Sequence, residues 1–393
     1  MRYQRNKRQY SVINIFCPER KMWSMAVFFI AASTLFGCNA AKKNTGAISP
    51  DTATVLQLNP GPDNPRNSEG DFITLKNGNI LFVYTYFSGD NGDDHGHAYL
   101  VSRSSSDQGK TWSKEDKLVV KQEGDMNVMS VSLLRLQNGK IALFYLKKNS
   151  MADCIPLMRI SDDEAKTWSE PTTCITDRVG YFVLNNNRVI QLKNGRLVMA
   201  VALHKVPTDK TWSNSGKLYS YYSDDNGRTW TNSAEVPNPE KIVTQEPGLV
   251  ELKNGNLLMY IRAGAGVQCL SYSSDKGATW STIEKSTLVS PLSPATIARV
   301  PGTGDLLVVW NNNGLTKYRT PLNIAISKDE GKTWGNIKTL EDDKSRGYCY
   351  TAIHFTSKHV LLGYCAGSQA SGSGAGILSQ TDIKRLSLDW IYK

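Results

Sequence analysis

Side chains able to do chemistry gather at a few places in this chain of 393 residues. An acidic, glycine-rich loop from Ser88 to Gly96 carries Asp90, Asp93 and Asp94, with His95 and His97 in His-x-His spacing. Carboxyls in such a loop can move protons. His-x-His can also bind a metal, but no third partner is evident, so neither a metal nor another cofactor is expected. Arg66 is followed closely by Glu69 and Asp71, and Arg262 and Arg319 stand beside apolar runs. A guanidinium fork grips a carboxylate through paired hydrogen bonds and stays charged at any working pH. Arg346-Gly-Tyr348-Cys-Tyr350 offers two phenols. Asn185, Asn187, Arg188 and His204 can hydrogen-bond a ligand or simply satisfy turns.

The elements that must position these groups follow from two repeats. Ser-x-Asp-x-Gly-x-Thr-Trp starts at Ser105, Ser161, Ser223, Ser273 and Ser327, with Ala165 replacing the glycine of the second copy. In each copy the aspartate can accept turn N–H groups, the glycine supplies a φ > 0 position, and the tryptophan plugs between neighbouring units. This reading is structural, not chemical. A second repeat runs out of phase with the first. Apolar strands turn at Asn77-Gly78, Asn138-Gly139, Asn194-Gly195 and Asn254-Gly255, with degenerate turns at Gly302 to Gly304 and Thr356 to His359. Asn-Gly between apolar runs signals a hairpin. Two hairpins per unit make four strands, the content of a propeller blade. The expected fold is therefore all-β, a six-bladed β-propeller of four-stranded antiparallel blades over residues 53–393. The segment Ala53 to Leu58 is expected to complete the last blade and close the ring, which removes exposed sheet edges.

The N-terminal region reads as an address. Six basic residues precede the apolar run Ala26 to Phe36, which is too short to span a bilayer. Leu35-Phe-Gly-Cys38 resembles a bacterial lipobox. The expectation is a lipoprotein signal over residues 1–37, lipidation at Cys38, a linker over 38–52, and a place in the bacterial cell envelope, held to the membrane only by the lipid. Removing residues 1–37 takes away six bases and one acid, so the formal charge of +10 falls to +5. No Lys/Arg run remains that would neutralise a phosphate backbone, which argues against nucleic-acid partners. Cys154 and Cys174, and Cys349 and Cys365, lie on paired hairpin arms, where either bridges or reduced buried thiols are compatible with the sequence.

With these repeats in place, the chain resembles the sialidase (neuraminidase) superfamily over nearly all of its length after the signal. The resemblance implies a carboxylate clamp of three arginines. Arg66 opens the first blade, in Pro65-Arg-Asn-Ser-Glu, where the family usually has Arg-Ile-Pro; Arg262 ends the stretch from Gln245; and Arg319 precedes the last boxed strand. It implies a tyrosine nucleophile in the Arg346-Gly-Tyr348-Cys-Tyr350 stretch, at Tyr348 with Tyr350 as rival. Glu246 is then the base, preferred to Glu251, and Asp94 in Asp94-His-Gly-His is the acid/base, with Asp93 and Asp90 as competitors. Glu69 would orient an arginine, and Asn187 and Arg188 would contact substrate. The implied activity is a retaining exo-glycosidase releasing terminal sialic or related acidic sugars from glycans. A propeller that binds surface glycans without cutting them, and a hydrolase of another glycan, are the alternatives.

Overall fold

The computed structural model describes residues 51–314, 316–369 and 375–393. The expected signal, Cys38 and nearly all of the linker lie outside the described residues. Among the described residues, helix is confined to Gly376–Leu378 and Leu388–Tyr392. The rest of the regular structure is strand.

The strands form six antiparallel groups. Blade I comprises Asn67–Thr74, Ile80–Phe87, Ala98–Ser105 and Lys117–Val120, and blade II Asn127–Arg135, Ile141–Ser150, Asp153–Ser161 and Thr172–Thr173. In blade III the first strand is broken into Tyr181–Val183 and Val189–Gln191. Both pieces pair with Leu197–Lys205, which is followed by Lys217–Ser223 and Thr231–Asn232. A single parallel bridge, Tyr181 to Cys154, joins blades II and III. Blade IV comprises Thr244–Glu251, Leu257–Ala263, Val267–Ser273 and Glu284–Val289, and blade V Thr296–Arg299, Leu306–Asn311, Leu322–Ser327 and Gly335–Glu341. Blade VI is Cys349–Phe355, His359–Cys365 and Thr381–Ser387, completed by Thr52–Leu58 from the other end of the chain. The first strands of the six blades touch one another in cyclic order, so the ring closes around them.

All six inner hairpins turn where the sequence places them. Gly78, Gly139, Gly195 and Gly255 take φ between 83° and 94°, and the sixth turn closes through Thr356 N donating to His359 O at 2.8 Å. The boxes repeat one hydrogen-bond pattern. Asp107 Oδ1 accepts from Lys110 N and Thr111 N at 3.0 and 2.9 Å, its Oδ2 accepts from Thr111 Oγ1 at 2.7 Å, and Ser105 Oγ donates to Oδ1 at 2.8 Å. Each boxed turn leans on the preceding blade. A Cβ on Gly227 would lie 2.4 Å from Met158 of blade II, and one on Gly109 would lie 2.7 Å from Leu361 of blade VI. Trp230 meets Phe144 edge-on at 6.0 Å, and Trp280 Nε1 donates to Ser220 Oγ of blade III at 3.0 Å. Glycine thus suits the position both for its φ and for the close approach. Ala165 accepts φ of 62° in the same role.

A second irregularity decides where functional side chains point. The first strands of blades I, II, IV and VI each lose register at one spot: between Ser68 and Asp71, Met129 and Ser132, Gln245 and Gly248, and Cys349 and Ala352. Inside each gap is a non-glycine residue with positive φ: Glu69, Ser130, Glu246 and Tyr350. A bulge of this kind interrupts the alternation of side chains and re-aims one of them.

Candidate active site

The bulges aim two of these side chains, Glu246 and Tyr350, into one cleft. Tyr350 Oη donates to Glu246 Oε1 at 3.0 Å, and Glu246 Oε2 forms an ion pair with Arg262 Nη1 at 2.7 Å. Arg262 Nη1 also lies 3.4 Å from Tyr350 Oη. The Arg319 guanidinium stands 5.4 Å from the centre of the Tyr350 ring. Asp94, Glu246, Arg262, Arg319 and Tyr350 all line one cleft of about 590 Å³. Beneath it, Arg66 is fully buried. Its Nη2 pairs with Glu69 Oε1 at 2.8 Å and its Nη1 with Asp94 Oδ1 at 2.6 Å. Glu69 in turn accepts from Ser130 Oγ, which joins two bulges directly.

The electrostatics follow from this packing. Partial desolvation would raise Asp94, whose side chain is still 57% exposed, but the charges of Arg66 and Lys148 outweigh it and hold the carboxyl below the usual carboxylate range. Burial likewise works against Glu246, and Arg262 overrides it, so the group is held ionised. Burial, reinforced by the charge of Glu246, pushes the Tyr350 phenol far above its ordinary value, so it is neutral at rest. Arg262 and Arg66 each have a carboxylate partner. Arg319 forms no ion pair with a carboxylate among the described residues; its Nη1 lies 3.0 Å from Cys349 Sγ. Burial opposes ionisation of that thiol, but hydrogen bonding with Cys365 and the Arg319 charge bring it down to about 7.

The two phenols of Arg346-Gly-Tyr348-Cys-Tyr350 part company. Tyr348, expected as the nucleophile, is 1% exposed in the core between blades V and VI. Its ring meets Tyr364 edge-on at 6.2 Å, the Arg346 guanidinium covers it at 5.8 Å, and it does not line the cleft. Plain alternation would put residues two apart on one face, but the bulge at Tyr350 breaks that rule. The rival tyrosine is the one beside Glu246. A second correction concerns Asn187 and Arg188. They do not reach the cleft; they strap the channel. Asn187 Nδ2 donates to Asp71 at 2.9 Å and its Oδ1 accepts from Ile353 N, while Arg188 donates to Tyr260 Oη, Thr296 Oγ1 and Ala295 O. The broken first strand of blade III turns these side chains inward to neighbouring blades. Glu251 sits at a hairpin end and accepts from Lys193 N. His204 does line the cleft, stacked at 5.0 Å on Trp212.

Several further residues line the cleft without a motif to mark them: Trp212, Tyr181, Gln245 and Lys317. Lys317 stands two residues before Arg319, a spacing that could have disclosed it. Lys148 is 2% exposed, and its Nζ donates to Asp94 O at 2.6 Å, fixing the acidic loop from below. All five described cysteines are free and buried. Cys349 and Cys365 stand directly opposite in the ladder, whereas Cys174 N pairs with Pro156 O rather than with Cys154. Among the described residues no group of His, Cys, Asp and Glu side chains is arranged to hold a metal ion.

Residues 78–362 match the BNR repeat-like domain, and the chain belongs to that family, within the superfamily of sialidases and BNR proteins. It is similar to a sialidase of Bacteroides fragilis (25% identical, over 74% of this chain and 58% of that protein) and to one of Paraclostridium sordellii (26%, over 66% and 68%). The chain thus spans little more than half of the first of these relatives. Among solved structures, the fold is similar to a protein of unknown function from Dyadobacter fermentans (TM-score 0.67, 21% identical, covering 86% of this chain and all of that one). It is also similar to a leech intramolecular trans-sialidase (TM-score 0.67, 15% identical, covering 88% and 71%).

Proposed function

We propose that this protein is a retaining exo-sialidase, releasing terminal sialic or related acidic sugars from glycans with Tyr350 as nucleophile. The observation that carries the reading is the hydrogen bond from Tyr350 Oη to Glu246, flanked by Arg262 and Arg319 in one cleft with Asp94. A sialic acid bears a carboxylate on its anomeric carbon. An anionic nucleophile would be repelled there; a neutral phenol is not. Arg319, free of any carboxylate partner among the described residues, takes the sugar carboxylate together with Arg262.

In the first step the Tyr350 oxygen bonds to the anomeric carbon as its proton passes to Glu246. The glycosidic bond breaks, and Asp94 protonates the leaving oxygen. In the second step water attacks the same carbon, Asp94 takes its proton, and Glu246 returns a proton to the departing phenol. Asp94 at rest is held ionised on Arg66. For Asp94 to act as the acid this pair must loosen when the glycan enters, which lets its pKa rise toward the value an acid needs. That resting ion pair also favours a second reading, a glycan-binding propeller that does not cut. The region before the propeller, with Cys38 as lipid attachment point, would hold either protein in the bacterial envelope. Turnover of a fluorogenic sialoside by wild type, abolished in Tyr350→Phe, supports the enzyme. Measurable glycan binding with no turnover supports the binder.

A further inference from the structure

One buried amide in the channel has no part in this chemistry. Asn186 lies in the break of the blade III strand and is 1% exposed. Its Nδ2 donates to Gly70 O at 2.8 Å and to Tyr350 O at 3.0 Å. One amide therefore spans blades III, I and VI. Both acceptors belong to bulges: Tyr350 itself has φ of 56°, and Gly70 follows Glu69, with φ of 54°. At a bulge the ladder is interrupted and a carbonyl needs a partner from elsewhere. A non-glycine residue in the left-handed region persists only where its surroundings hold it.

We infer that Asn186 is a positioning residue, whose single amide fixes the backbone of Tyr350 and of the Glu69–Gly70 bulge in one frame and so sets the phenol against the arginine clamp. The inference rests on Tyr350 being the nucleophile. Its neighbour Asn187 straps the same channel without touching Tyr350; its N donates to Val131 O, and its side chain meets Asp71 and Ile353.

The test compares Asn186→Asp with Asn187→Ala and Tyr350→Phe, using a fluorogenic sialoside and thermal unfolding. Aspartate keeps the shape of the side chain but turns oxygen toward two carbonyl oxygens. A misplaced reacting group costs on the order of 10²-fold in rate. The expected result for Asn186→Asp is a kcat lower by about that factor with KM within about threefold, while Asn187→Ala lowers Tm and leaves kcat within about twofold. Wild-type kcat in folded Asn186→Asp, or a loss confined to Tm, overturns the inference while an inactive Tyr350→Phe leaves the nucleophile standing. Full activity in Tyr350→Phe overturns both. Should Asn186→Asp not fold, Asn186→Ser, whose shorter donor reaches one carbonyl at most, is read the same way: lower kcat at unchanged KM supports the positioning role, and unchanged kcat removes it.

Discussion

The rim and the centre of this propeller use the same backbone device to opposite ends. In the boxed hairpins, Gln108, Glu164, Asn226, Lys276 and Glu330 take φ between 59° and 64°, and each is followed by a further positive-φ residue. Around them the Ser, Asp, Thr and Trp side chains are the same each time. At the centre, Glu69, Ser130, Glu246 and Tyr350 also hold positive φ, but no two blades combine the same side chain and partner. Where the chain repeats itself, it builds a scaffold by satisfying its own turn. Where each blade departs from its neighbours, the left-handed residue is aimed at the cleft or at what supports it. Repetition here marks architecture, and its breakdown marks chemistry.

Substitutions at the centre and at the rim should therefore behave differently. The largest effect is expected from the central phenol. Tyr350→Phe should lower kcat by about 10³-fold or more, whereas Tyr348→Phe, in the core, should turn over sialoside at near the wild-type rate. Steady-state assays of the two variants side by side check this. Next comes Asp94→Asn. Loss of a general acid typically costs about 10²- to 10⁴-fold, and the loss should shrink on substrates whose leaving group needs no proton. Arg319→Ala should raise KM for the acidic sugar by one to two orders of magnitude, about 1.5–3 kcal/mol for a lost charge-assisted hydrogen bond, and should lower inhibition by free sialic acid in parallel. At the rim, Trp280→Ala should leave KM unchanged and lower Tm, because its ring and its hydrogen bond to Ser220 join blades III and IV far from any reacting atom.

The smallest effect is the pH dependence that the rim contributes. Donors from the turns hold Asp107, Asp163, Asp225 and Asp329 down to about 2. Each value is below the unfolded value of about 3.9, so the stabilisation is complete above that pH and is lost as pH falls toward 2. Tm measured between pH 5 and 2 should fall over that window. In Asp107→Asn the fall should be shallower, from a lower starting Tm.

The same contrast explains what could be read from the residues alone. Asn-Gly turns, boxed hairpins and closure by the strand at Thr52–Leu58 are local or paired patterns, and the structure repeats them in register. The cleft depended on long-range facts. Counting along the strand cannot separate Tyr348 from Tyr350, because the deciding feature is a bulge whose left-handed residue carries no glycine to announce it. Asn187 and Arg188 have side chains suited to a ligand, yet the broken blade III strand turns them onto Asp71, Tyr260 and Thr296 across the channel. Trp212 reaches the cleft by packing on His204 and Tyr181, a contact between segments that no spacing encodes.

The central claim is that the bulge at Tyr350, not the tyrosine two residues before it, supplies the attacking oxygen. Incubating the protein with a fluorinated sialosyl fluoride that reacts but turns over slowly, then digesting it and mapping the added mass, tests this directly. One sugar per chain, attached to Tyr350, is the expected result. A label on Tyr348 or on a carboxylate, or no label under conditions where sialoside is hydrolysed, would contradict it.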